Sequence, residues 1–285
     1  MDKLKVAVVG AGGKMGTRTS NNLAKVADYT LYLVESGEKG LKSVRDRGFT
    51  AYEAKDIISQ VDVVVLAVPD TFIKVISEGI VALMSPGAGL LILDPAAAVA
   101  KELALRDDCT FGVVHPCHPS YFLDQDTYEA RHDYFGGLGG KQDIVMAKIQ
   151  GDDERFSQMR QVAEKMFAPV EHSYVMEARN IAFLEPTLVE LLGATCLYAM
   201  AETVKEAEKR GIQKEAAVSF LSGHIYNLSA NFLGFLGNTP VSDACKVAIS
   251  LGDKLVLRDD WKKIWDEDVL DKVIATMLHP ENPKI

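Results

Sequence analysis

Cysteine is scarce: the 285 residues hold four, at 109, 117, 196 and 245. None stands in a C-x-x-C pair and no zinc-finger spacing occurs, so neither a redox dithiol nor a structural zinc module is expected. Thiols in this pattern suit a reducing cytosol, and a cytoplasmic location follows as an expectation. No uninterrupted apolar run reaches about 18 residues, which argues against a membrane span. The start, MDKLKVAVVG, runs from charge straight into a strand and has no signal-peptide core. Basic excess is also missing. With a formal net charge of −9 the chain suits neither nucleic acid nor an anionic membrane. A small anionic substrate would need cations placed locally. Internal repeats and low-complexity segments are absent.

What is present is an alternation of strand and helix signals. LKVAVV (4–9), TLYLVE (30–35), VDVVVLAVP (61–69), GLLILD (89–94), TFGVVH (110–115) and DIVMAKIQ (143–150) read as strands, with a last one near PVEHSYV. Helices at 15–27, 70–84 and 152–167 lie between them. This predicts an α/β fold: an N-terminal Rossmann domain with a doubly wound, mostly parallel sheet over residues 1–175. From 176 to 285 strand signals disappear and an all-α domain is expected, with helices over 177–210 and 213–235. Pro186 should start or kink the first of these.

The turn after the first strand is GAGGKMG, residues 10–16. Gly10, Gly13 and Gly16 stand three apart, with Gly12 added between them. A phosphate loop must turn sharply, expose backbone N–H groups and pack its helix closely on the sheet, and glycine serves each need. Lys14 and Met15 complete the loop as cofactor-binding candidates. Glu35 closes the second strand about 20 residues on, where a carboxylate bonds the adenosine ribose hydroxyls and repels a 2′-phosphate. NAD is therefore the expected cofactor. Val68 and Pro69, at the end of the strand near the switch point, are candidates for bordering the same path.

The second concentration of chemistry is GVVHPCHPSYF, 112–122. His115 and His118 leave a buried strand at the ligand-binding edge of the sheet, each followed by a proline. A neutral imidazole there takes a hydroxyl proton as hydride leaves, or ligates a metal. Cys117 between them reads as a packing residue ahead of a reactive thiol. In the helical half, FLEPTLVELLGATCLYAM places Glu185 and Glu190 in an apolar helix. Glu185 is read as acid/base or metal ligand, against the bland reading of a carboxylate at a positive helix N-terminus. Glu190 is a substrate candidate, and so are His224, Asn227 and Asn231, which form a polar stripe at helical spacing.

With these segments in hand, the chain resembles the 6-phosphogluconate dehydrogenase-like superfamily, a Rossmann domain followed by helices. Its loop is similar to that of dihydrodipicolinate reductases, His115-Pro116 to prephenate dehydrogenases, and DVVVLAVP to pyrroline-5-carboxylate reductases. GAGGKMG at 10–16, LDPAAA at 93–98, HPCHPS at 115–120 and LEPTLVE at 184–190 together resemble the D-apionate oxidoisomerase family over the whole chain. That resemblance implies NAD-linked oxidation of a branched sugar acid with a skeletal rearrangement to 3-oxo-isoapionate, like a ketol-acid reductoisomerase run backwards. It implies a Lewis acid as well, with a divalent metal on His115 and Glu185. Glu185 and Glu190 depart here from the four-residue spacing of the reductoisomerase acid pair. A homodimer through the helical domain is implied too, because the apolar 183–200 helix needs cover. Two other readings remain open at this point: a plain hydroxy-acid dehydrogenase without rearrangement, and a non-catalytic NAD-binding redox sensor.

Overall fold

A computed structural model describes residues 3–284. The first half forms one eight-stranded sheet in the order β3-β2-β1-β4-β5-β6-β7-β8. The strands are β1 Leu4–Val9, β2 Tyr29–Val34, β3 Ala51–Tyr52, β4 Val63–Leu66, β5 Gly89–Ile92, β6 Thr110–Pro116, β7 Gln142–Gln150 and β8 Val170–Val175. Every neighbouring pair is parallel except β6–β7. Strand order reverses between β1 and β4, so the carboxyl ends of these strands open the ligand crevice of a doubly wound sheet.

The strongest strand signals lie at the centre, where both faces are covered. VVVL of β4 and GLLI of β5 are buried at every position, as a helix-flanked parallel sheet requires. Helix Asp153–Met166 supplies Met159, Val162, Ala163 and Met166 to the same core. Helix Lys14–Leu23 buries a polar face instead: Arg18, Thr19, Ser20 and Asn22. Ser20 Oγ donates to Gly16 O and Asn22 Nδ2 to Met166 O and Ala168 O, which is the condition for burying those two side chains.

The chain divides into two compact units. One runs to Ala182 and takes back the chain from Asp271 onward; the other is Phe183–Leu270. The strand pattern ends at Val175, seven residues before this division, and the returning segment carries no strand signal. The second unit is helical: Thr195–Lys209, Lys214–Phe232 and Asp243–Leu255, with a 3-10 stretch at Trp261–Trp265. Pro186 does not start its helix. It lies inside a continuous helix over Ala178–Lys209, whose Phe183–Ala194 stretch is π-helical. Proline has no N–H and its ring clashes with the preceding turn; the wider turn accommodates both.

Helix Ala178–Lys209 is long and apolar enough to cross a membrane by length and composition, with a mean hydropathy of 1.4 over its best window. Scattered acids interrupt the apolar run without lowering that mean enough. Core helices of soluble proteins share this length and composition.

Candidate active site

The loop between β1 and helix Lys14–Leu23 folds as a turn because two of its glycines admit nothing larger. Gly10 has φ +78°, and a Cβ there would meet Ala67 O at 2.6 Å. At Gly12 a Cβ would meet the Gly40 backbone at 2.3 Å. Gly13 is different: it is exposed, and a Cβ would meet nothing closer than Gly10 O at 3.4 Å. The fold therefore leaves room for a side chain at this position, which is the N-cap of helix Lys14–Leu23.

Glu35 follows β2 and closes onto this loop. Its Oε2 accepts from Gly12 N at 2.9 Å, and its Oε1 from Ser36 N at 2.9 Å and Gly37 N at 3.0 Å. Arg47 braces the loop from the second helix, donating to Ala11 O, Ser20 Oγ and Asn21 Oδ1, each at 2.8 Å. A cleft of about 780 Å³ lies alongside, lined by Gly10, Glu35, Ser36, Tyr52, Val68 and Ile76 among others. That volume is in the range of a small-molecule or cofactor site. Pro69 is the N-cap of helix Asp70–Leu83, and Met15 packs on the core. Lys14 is exposed, with its Nζ 3.7 Å above the Phe135 ring.

His115 and His118 stand at and just beyond the end of β6. Nδ1 of His115 lies 2.9 Å from Leu93 O, and Nδ1 of His118 lies 2.7 Å from Phe135 O. A carbonyl only accepts, so each Nδ1 carries the proton and each Nε2 keeps its lone pair. Burial pushes both imidazoles below the ordinary histidine range. For His115 the Leu93 carbonyl and Asp94 oppose the shift, while His118 and Arg18 add to it. For His118 the Phe135 carbonyl and Asp133 oppose it, while Arg18 and Lys14 add to it. Both rings are thus neutral at pH 7 and ready to accept a proton or a metal. The Cys117 thiol is pushed up to about 11 by desolvation and then by Asp143, so it is no thiolate nucleophile at neutral pH.

Asp94 escaped the sequence reading. It ends the β5 region, caps the following turn by accepting from Ala96 N at 2.7 Å, and brings a carboxylate oxygen within 4.8 Å of a His115 ring nitrogen. An imidazole whose Nδ1 carries the proton, standing beside a carboxylate, is a fitting donor pair for a divalent cation. The one available signal was its place in LDPAAA, an acid at a strand's carboxyl end. Phe135 and Arg18 escaped as well, since nothing periodic marks the segment that joins them.

The helical unit holds the remaining candidates. Glu185 is half-buried in the π-helical stretch and Glu190 is exposed. His224 is exposed, donates its Nδ1 proton to Phe220 O at 2.7 Å, and borders an apolar groove of about 570 Å³ with Val204, Ile212 and Leu221. Asn227 is exposed, and Asn231 donates to Thr239 O at 2.5 Å. All three lie on helix Lys214–Phe232, and two of them are bonded to nearby backbone.

Two family models match the chain and overlap at residues 123–132. Residues 1–132 match the acetohydroxy acid isomeroreductase, NADPH-binding domain, and residues 123–278 match the phosphogluconate dehydrogenase (decarboxylating) C-terminal domain. A D-apionate oxidoisomerase of Blautia hydrogenotrophica is 70% identical, covering all of both chains. That of Cupriavidus necator is 42% identical over 95% of this chain and 98% of its own. Among solved structures, a semialdehyde dehydrogenase NAD-binding protein from Cupriavidus necator, in complex with calcium and NAD, superposes with a TM-score of 0.92. It is 41% identical and is covered to 99%, against 96% of this chain. An NADH-preferring ketol-acid reductoisomerase from an uncultured archaean shares the fold, at a TM-score of 0.68 and 17% identity.

Proposed function

Because the chain belongs to the D-apionate oxidoisomerase family, we propose that it is an NAD-dependent enzyme converting D-apionate to 3-oxo-isoapionate. The observation that carries this reading is full-length identity of 70% to a protein of that name. The site's chemistry agrees with it. The cleft beside Glu35 suits an adenosine, and Gly13 suits close approach of a pyrophosphate at the helix N-terminus. When bound, NAD supplies the hydride acceptor.

The substrate's C2 carbinol loses hydride and its hydroxyl proton, leaving a 2-ketone. His118, neutral and with Nε2 bare, accepts that proton. The tertiary hydroxyl at C3 then gives up its own proton, and a hydroxymethyl carbon moves from C3 to C2 with its bonding pair. C3 becomes the ketone, and the C2 oxygen takes back a proton. One hydride and one proton leave in total, and the carbon count is unchanged. Asp94 and His115 would hold a divalent cation, with Glu185 as a further donor; such a cation would polarise the ketone oxygen during the migration. Lys14 supplies positive charge for an anionic substrate or a phosphate, and Glu190, His224, Asn227 and Asn231 stay candidates for reading hydroxyls. Four unpaired thiols and the acidic charge support a cytoplasmic enzyme that binds neither nucleic acid nor membrane. The helical unit leaves Leu197, Tyr198 and Phe220 exposed, which supports a homodimer through that unit.

The test is a screen of D-apionate against unbranched aldonates with NAD, read by NADH absorbance, with and without exhaustive chelation. D-apionate should be preferred. Equal rates on unbranched acids would point to a plain hydroxy-acid dehydrogenase, and activity surviving chelation would remove the cation from the mechanism.

A further inference from the structure

His118 carries a conformation that its sequence disfavours. Its φ is +61°, in the left-handed region that is sterically unfavourable for a non-glycine residue. It also precedes Pro119, and a following proline favours extended backbone. Such a residue persists only where its surroundings over-determine it. Phe135 meets the His118 side chain twice. Its carbonyl takes the Nδ1 proton of His118 at 2.7 Å, and its ring lies 5.3 Å from the imidazole, centroid to centroid.

Phe135 is held in turn by a buried cation. The Arg18 guanidinium lies 4.9 Å from the centre of the Phe135 ring and 5.2 Å from that of Phe167. Its Nη2 donates to Gln142 Oε1 at 2.5 Å. The loop is shaped to admit it: Gly136 has φ +94°, and a Cβ there would meet Arg18 Nη2 at 2.1 Å. The Asp133 carboxylate ties the same loop by accepting from Gly136 N, Leu138 N and Gly140 N. Arg18 is only 5% exposed, and its Nε and Nη1 have no hydrogen-bond partner among the described residues. Burial holds its pKa down at about 10, with Asp133 opposing the shift. A buried guanidinium with two unanswered N–H groups is costly, and an apolar side chain would fill the space at lower cost. The cation's attraction for the two aromatic rings is what an apolar residue could not supply.

We propose that Phe135 is a positioning residue for His118 and that Arg18 is the buried cation that locks it in place. Together they hold the imidazole in one pose and one tautomer, with Nε2 bare. Both act through His118, so the proposal rests on the reading of His118 as the proton acceptor. Lys14, over the same ring, ties this lock to the nucleotide loop.

The experiment compares Phe135→Leu, Phe135→Tyr, Arg18→Met and His118→Gln in the full-length protein with NAD and D-apionate. Proton–nitrogen correlation spectra of the imidazoles report the tautomer independently of turnover. Phe135→Leu should lower kcat roughly tenfold or more while the KM for NAD stays within about threefold, and His118 should lose its single Nδ1–H form. Phe135→Tyr, which keeps the ring, should restore most of the rate and the tautomer. Arg18→Met should repeat the effects of Phe135→Leu, and it carries the test if Phe135→Leu does not fold. An unchanged tautomer, or an unchanged kcat, in folded Phe135→Leu or Arg18→Met while His118→Gln is inactive would overturn the lock alone. Full activity in His118→Gln would overturn the role of His118 and the lock with it.

Discussion

The Glu35 carboxylate has about four lone-pair positions, and three are filled by the N–H groups of Gly12, Ser36 and Gly37. It therefore shapes the loop first and has about one position left for a ribose hydroxyl. Its negative charge still opposes a 2′-phosphate, so NADH should bind more tightly than NADPH. Glu35→Gln places an amide NH2 against backbone donors and should weaken NADH binding roughly tenfold, about 1.4 kcal/mol, in a fluorescence titration. Tighter binding of NADPH by the unaltered protein would contradict this assignment. The histidines make a second prediction. Both pKa values lie below the ordinary histidine range, near 6.5. A kcat–pH profile should stay level from neutrality past about 6.5 and fall only at lower pH, as the base protonates. Folding stability contributed by the buried neutral rings is complete above about 6.5 and declines below it, because the unfolded chain takes up those protons first. A profile that breaks above neutrality would exclude these histidines as the base.

At the scale of the element, the glycine loop separates fold from ligand. Gly12→Ala drives a methyl into the Gly40 backbone and should cost roughly 1–3 kcal/mol of stability. Gly13→Ala meets no such obstacle and should melt with the unaltered protein, yet bind NADH at least about tenfold more weakly. Thermal melts with NADH titrations distinguish the two; a strongly destabilised Gly13→Ala would show that the fold, not the ligand, requires that glycine. The same scale shows what the sequence could reveal. β1, β4 and β5 were legible because strands covered on both faces are apolar throughout, and the glycine loop because strand, turn and acid follow in order. Helix Lys14–Leu23 hides its buried face, since Arg18, Ser20 and Asn22 look like a solvated surface. The segment from His118 to Lys141 has no periodicity at all, so the lock on His118 left no signal. The role of Asp94 is not legible in the sequence, because its proximity to His115 arises from the pairing of β5 with β6.

At the scale of the molecule, the change from strands to helices was legible near residue 175, because composition changes there. The return of the chain from Asp271 to the first unit was not, since an apolar helix face does not say which core it joins. Exposed Leu197 and Tyr198 on the long helix predict a dimer in sedimentation velocity, and Leu197→Glu should shift it toward monomer. A clean monomer of the unaltered protein would leave that face unexplained. The central claim is that oxidation and rearrangement occur on one substrate. The direct measurement is the carbon connectivity, by NMR, of the product made from D-apionate and NAD. A 3-oxo-isoapionate skeleton, formed with one NADH per molecule, is the predicted result. An unrearranged 2-ketone as the final product would contradict it.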